Sequence, residues 1–462
     1  TFHQLVQEAQ SLTLAGGAVG FGINQTFAQF TQSNGILQNS GDVIVAGAFS
    51  WTGGSMIGAG VTRLAPGSTG AISGAANKGL SANRVLENGG TLVIREGTLY
   101  FNLGNQGGGA VLNNLAGGEL EIQGESDLLH NFGTVSAVNN AGLLRKTGGG
   151  ETRFGGSLVA LNNSGVVEIV EGTLRLEGGG SHSGTITSQP AGVLDLAGGN
   201  VTFSADSVVN LASDLRVSGG TIDVQPAITV VGGLTVSGGD TTFHQLVQEA
   251  QSLTLAGGAV GFGINQTFAQ FTQSNGILQN SGDVIVTGAF SWTGGSMIGA
   301  GVTRLAPGST GAISGAANKG LSAKRVLENS GTLVISEGTL YFNLGNQGGG
   351  AVLNNLAGAE LEIQGESDLL HNFGTVSAVN NAGLLRKTGG GETRFGGSLV
   401  ALNNSGVVEI VDGTLRLEGG GSHSGTITSQ PAGVLDLAGG NVTFSADSVV
   451  NLASDLRVSG GT

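Results

Sequence analysis

An all-β chain wound as a parallel β-helix is what this sequence predicts, and three observations carry the expectation. Glycine supplies 88 of 462 residues, against an average near ~7 %. Short alternating segments rich in β-branched residues recur from end to end. They return with a period near 25 residues, nested inside a much longer repeat.

The segments come first. Asp42-Val-Ile-Val45, Thr91-Leu-Val-Ile94, Glu119-Leu-Glu-Ile122, Val166-Val-Glu-Ile169, Thr173-Leu-Arg-Leu176 and Val193-Leu-Asp-Leu196 alternate in the manner of strands. Glycine pairs and Asn-x-Gly turns interrupt them too often for helices of ordinary length. His3–Gln10 is ambiguous on its own, but its match to residues 28–32 favours strand.

The period comes next. Thr1-Phe2-His3-Gln4 returns as Thr26-Phe27-Ala28-Gln29, and Gly90–Phe101 returns as Gly165–Leu176, three times 25 residues later. Propeller blades usually need about 40 residues or more, so a solenoid fits better. In a coil of two or three strands, inward residues form apolar columns and outward ones stay polar. Glycine then serves the corners, where positive φ or close backbone approach is required. Low charge fits as well, because in-register stacking puts like residues above one another and like charges would repel.

The long repeat is nearly perfect. Residues 1–221 and 242–462 align without a gap with 215 identities in 221. The six differences are Ala46/Thr287, Asn83/Lys324, Gly89/Ser330, Arg95/Ser336, Gly118/Ala359 and Glu171/Asp412. The expected organisation is therefore a first tandem repeat, 1–241, of about ten coils, and a near-identical truncated second, 242–462. At about 24 residues per coil the chain holds about 19 coils of one continuous rod. One repeat would then span roughly 48 Å at ~4.8 Å per coil. Opening at Thr1, the stretch reads as a window on a longer array.

Composition excludes several functions. With no cysteine there is no disulfide framework or thiolate metal site. A net charge of −14 disfavours nucleic acid and anionic membrane surfaces as partners. No apolar run reaches the ~18 residues of a membrane span, so no membrane insertion is expected in this segment.

Asparagine recurs beside the corner glycines, at Asn39, Asn88, Asn114, Asn131, Asn140 and Asn163. Asparagine tolerates the left-handed conformation. Stacked on its equivalents, it forms an amide ladder inside a corner. The alternative is that Asn-Gly merely favours turns. Phe49 with Trp51, and Phe290 with Trp292, read as a core layer or as a platform for stacking sugars.

The text Thr26–Gly74 resembles the repeat regions of very large secreted bacterial surface proteins of the filamentous-haemagglutinin-like and autotransporter-adhesin-like type. Phe49-Ser-Trp51-Thr-Gly-Gly54, Met56-Ile-Gly-Ala-Gly60 and the Asn-x-Gly-Thr-Leu runs carry the resemblance, with a second set from Phe290-Ser-Trp292. It implies a right-handed parallel β-helix, secretion, and an extracellular or cell-surface location. The preference for right-handed parallel crossovers agrees with that hand.

Catalytic chemistry is sparse. A polysaccharide lyase on this fold would need clustered acids and bases. The densest groups are Arg145-Lys146 with Glu151 and Arg153, and Lys78 with Arg84 and Glu87, each reading equally as a solvated charged corner. His3, His130 and His182 lack metal-ligand spacing and read as surface or corner residues. Glu125 and Asp127 sit outside any calcium nonapeptide run, and the GGG runs at 107–109, 148–150 and 178–180 lack the GK[ST] of a phosphate loop. No catalytic residue, cofactor or metal is expected. Asn24, Asn162 and Asn200 match the glycosylation sequon.

The leading expectation is a structural building block of an extracellular filament, stalk or sheath. Its partner is itself, by end-to-end continuation or stacking and by lateral bundling. The alternative is an adhesin that binds glycans or neighbouring cells through a solenoid face, with a polysaccharide lyase as a remote third.

Overall fold

Alternating segments of three to five residues cannot bury an apolar face alone; they need neighbours on both edges. In the computed structural model they find them coil above coil. The structure describes every residue except 7, 8, 39, 105, 106, 131, 280, 346, 347 and 372. Among the described residues there are 53 strands and no helix. Each strand pairs in parallel with the strand of the next coil. The chain is an all-β parallel β-solenoid.

It divides into two compact units, one of Thr1–Leu234 with Gly238–Glu249, the other of Thr235–Ser237 with Ala250–Thr462. In the first unit every coil presents three faces. One carries Ser11–Leu14 and Thr91–Arg95, the second Ala18–Gly20 and Thr98–Phe101, the third Val85–Asn88 and Val111–Asn114.

Coil length is variable. On the first face the outward row runs Thr13, Thr31, Ser50, Ala71, Val93, Glu121, Arg145, Glu168, Thr187, Asn210, Thr229, Gln248. Its eleven steps cover 235 residues and range from 18 to 28. The expected 24 lies inside that range. In the longest step, Val93 to Glu121, the extra residues fall in the corner between Thr98–Phe101 and Val111–Asn114.

Inward columns make the core. Leu92, Leu120, Leu144, Val167, Ile186 and Val209 stand one above another, all buried. On the second face Leu99, Leu128, Phe154, Leu176, Leu196 and Val217 do the same. On the first face the charges of Glu121, Arg145 and Glu168 alternate in sign up the stack. Arg145 lies between Glu121 and Glu168 in register and bonds Glu168 and Glu119 at 2.8 Å each. Arg63 meets Glu87 at 2.6 Å. These contacts put opposite charges on neighbouring coils, whereas Arg153 stacks in register on Arg175, each drawn to its own carboxylate, Asp127 and Asp195.

Two expectations need correction. Residues 3–10, read as strand, contribute none among the described residues; beside them only Phe2 makes an isolated bridge, to Phe21. The second concerns phase. Phe2 joins the face of Ala18–Gly20, which Phe21 directly follows, but its copy Phe243 pairs with Val224 on the third face of the same unit. The long repeat is therefore not a whole number of coils.

The second unit repeats the pattern from Ser252–Leu255 to Leu456–Val458, except that the long strand Thr185–Phe203 is answered by two, Thr426–Leu437 and Val442–Phe444. It also tests a backbone position. Asn83 sits at φ +67, and its counterpart Lys324 adopts φ +70. Asparagine tolerates the left-handed region better than lysine. Lys324→Asn is accordingly expected to stabilise the chain by about 0.5 kcal/mol, read as a small rise in the urea midpoint of that unit.

Candidate functional site

The densest set of buried polar side chains lies at the corner that ends the third face. An Asn-Asn pair at a strand end puts one amide inward and the next outward. The strands Val111–Asn114, Ser136–Asn140 and Val159–Asn163 each end on such a pair. Register stacks them, giving two amide columns side by side.

The inner column is Asn88, Asn114, Asn140 and Asn163, all buried. Nδ2 of Asn88 donates to Oδ1 of Asn114 at 2.8 Å, Asn114 to Asn140 at 2.7 Å, and Asn140 to Asn163 at 2.8 Å. The other amide hydrogen reaches round the corner to a backbone carbonyl one coil on. These carbonyls are Glu119 O at 2.8 Å, Leu143 O at 3.0 Å, Val166 O at 2.9 Å and Thr185 O at 3.1 Å, for the four asparagines in order. Each side chain so ties its own coil to the corner of the next. The outer column runs the other way: Asn162 donates to Asn139 and Asn139 to Asn113, both at 2.9 Å. In the second unit Asn329, Asn355, Asn381 and Asn404 form the inner column at 2.8, 2.7 and 2.8 Å. That column holds although Ala359 replaces Gly118, where a Cβ would stand 2.5 Å from Asn88 O in the first unit.

Asn39 and Asn131 lie outside the described residues. The sequence reading passed over Asn113 and Asn139. Their signal was available in the doublets at 113–114, 139–140 and 162–163, spaced like coils.

The aromatic positions are core. Phe49 and Trp51 are buried, as are Phe290 and Trp292. Trp51 Nε1 donates to Gly53 O at 3.1 Å and Phe49 packs on Phe30. No ring face remains for a sugar.

The two charged groups weighed as catalytic do not converge. Lys78 and Arg84 are buried, which corrects their reading as solvated corners. Lys78 shares a column with Leu99, and its ammonium is held by Ser73 O, Gly74 O and Ala76 O. Lys146 stands between Ile122 and Ile169 and is bound by Thr147 O at 3.1 Å and Gly148 O at 2.6 Å. Burial lowers the pKa of both lysines. Arg84 donates to Thr62 Oγ1 at 2.9 Å, and burial takes its pKa down to about 10. Arg153 turns outward to Asp127 at 2.7 Å.

His3 is exposed, but His182 is buried inside the column above Asn163, contrary to its reading as a surface or corner residue. Among the described residues no three His, Cys, Asp or Glu side chains gather as a metal site. Of the sequons, Asn24 is exposed with Oδ1 accepting the Asp42 N–H at 3.0 Å, Asn200 is exposed, and Asn162 commits its Nδ2 to the outer column.

Beside the columns runs a shallow polar groove of about 310 Å³ lined by Asn139, Asn162, Ser164, Ser181 and Ser183. A groove of about 330 Å³ lies at the equivalent place in the second unit. Among the described residues no helix is long and apolar enough to cross a membrane. No protein-family model, curated protein or solved structure matches the chain.

Proposed function

We propose that this chain is a load-bearing segment of an extracellular filament or stalk, assembled from tandem solenoid repeats that continue end to end. The observation that supports this reading is where the buried polar chemistry goes. The inner asparagines bind one another and backbone carbonyls of the next coil, and Lys146 reaches Glu171 O one coil on at 3.3 Å, so they fasten coil to coil, while Lys78 closes the corner of its own coil. Each of these residues is at most 1 % exposed. In such an array stability is approximately a sum over neighbouring coils, and tension along the axis is borne by many parallel backbone ladders. The role needs no catalysis and no cofactor.

Electron microscopy of the native material tests the reading. Thin unbranched filaments are expected, with an axial period of roughly 50 Å for a repeat of a little over eleven coils at ~4.8 Å each. Isolated particles with no axial order would overturn it.

The polar groove found in both units favours a second reading, an adhesin whose solenoid face binds glycans. Saturable binding of the chain on a glycan array, abolished by Ser181→Trp with Ser422→Trp, would establish that reading in place of a purely structural one.

A further inference from the structure

The column that carries the amide ladder turns from amide to apolar at His182. It runs Leu64, Asn88, Asn114, Asn140, Asn163, His182, Phe203, Val224. From Asn88 to Asn163 the residues are amides that bond one another; Leu64 before them and Phe203 and Val224 beyond His182 are apolar. The imidazole is 1 % exposed and stacks on Phe203 with ring centroids 4.9 Å apart.

Neither neighbour serves the ring nitrogens. Asn163 has its oxygen taken by Asn140 and its nitrogen turned to Thr185 O. Phe203 offers only a ring face. Both Nδ1 and Nε2 are buried without a hydrogen-bond partner. The two elements packed on this strand thus present an uncharged amide and an uncharged ring. No acidic or basic side chain shifts the imidazole, and burial alone holds its pKa down at about 4. The second unit repeats the arrangement: His423 is buried with both ring nitrogens unpartnered, follows Asn404 in register and stacks on Phe444.

We propose that this rung is an acid latch: protonation of the His182 imidazole opens the solenoid locally between Gly180 and Phe203, and of His423 between Gly421 and Phe444. An imidazolium has two N–H donors to satisfy, and the closed rung supplies no acceptor for either. Opening hydrates both. The sign follows from linkage. The closed state holds the pKa below the ordinary value of 6.5. Above pH 6.5 both states are neutral, and closure is unaffected. Between pH 6.5 and about 4 the open state takes the proton first, so closure weakens progressively as pH falls. At pH 5 the open population rises roughly thirtyfold over that at pH 7.5.

Hydrogen exchange of the full chain, corrected for the intrinsic pH dependence, reads this directly. Peptides covering 178–205 and 419–446 have the same sequence, so both copies are measured and altered together. Their protection is expected to fall roughly thirtyfold more than that of residues 85–115 between pH 7.5 and 5. The pair His182→Phe with His423→Phe is expected to remove that excess. Should the phenylalanine pair not fold, His182→Asn with His423→Asn extends the amide column and gives the same reading. No excess loss of protection in the parent chain, or an equal excess in the variants, overturns the proposal.

Discussion

Alanine at Gly180 and Gly421 together is expected to unseat the coil that closes the asparagine corner. Gly180 has φ +142, and a Cβ built there would fall deep inside contact with the Leu161 carbonyl oxygen of the coil below. Gly421 is placed in the same way on Leu402 at φ +144. That carbonyl cannot swing away freely, because it belongs to the Val159–Asn163 strand. The expected cost is about 4 kcal/mol or more per site, in the range that marks a severe single change. Far-UV circular dichroism against urea should show a portion of the signal lost early, and hydrogen exchange should place it at residues 159–203. Gly67→Ala is the control. It has φ +83 with nothing near a Cβ, so only backbone strain of about 1 kcal/mol applies. If both changes cost the same, close packing of coils is not what Gly180 serves.

Leucine at Asn114 and Asn355 has the second large effect. It leaves the Asn88 amide hydrogen and the Asn140 oxygen buried without each other's column partner, and frees Leu143 O. Each orphaned buried group costs about 1–3 kcal/mol, so about 3–5 kcal/mol per site is expected after some gain from the apolar side chain. Asn113→Leu with Asn354→Leu removes the half-exposed outer column instead and should cost under ~1 kcal/mol. The ratio of the two, measured as urea midpoints under one set of conditions, separates a burial effect from the loss of any amide at the corner.

Much of this architecture was legible before any coordinates. Residues such as Leu92, Leu120 and Val167 alternate with polar neighbours, and the turn signals give a period, so strands and their stacking follow from local pattern. The inner asparagines were legible because their spacing of 26, 26 and 23 matches the coils they sit on. Lys78 and Lys146 were not. A lysine in a strand is expected on the outside, and only the register shows that each occupies an inward position in line with leucine or isoleucine. Its ammonium escapes burial without charge partners by meeting corner carbonyls, which no spacing announces. His182 was hidden for the same reason: Gly180–His182 is a strand of three residues, too short for alternation to assign an inside. The phase of the long repeat was also hidden, since it depends on summing coils of unequal length.

That phase has a genetic consequence. Phe2 and Phe243 are the same letter of the repeated text, yet one unit places them on different faces. A rung therefore carries no instruction about which face it forms; it needs only an edge to pair with. Duplication or loss of a stretch of coding sequence then has no obligation to begin and end at the same point of a turn. Any junction falling between rungs leaves a pairable edge on both sides. Copy number in such a chain can drift by unequal crossing-over without a misfolded joint as its penalty, and recent copies stay as nearly identical as the two seen in this chain.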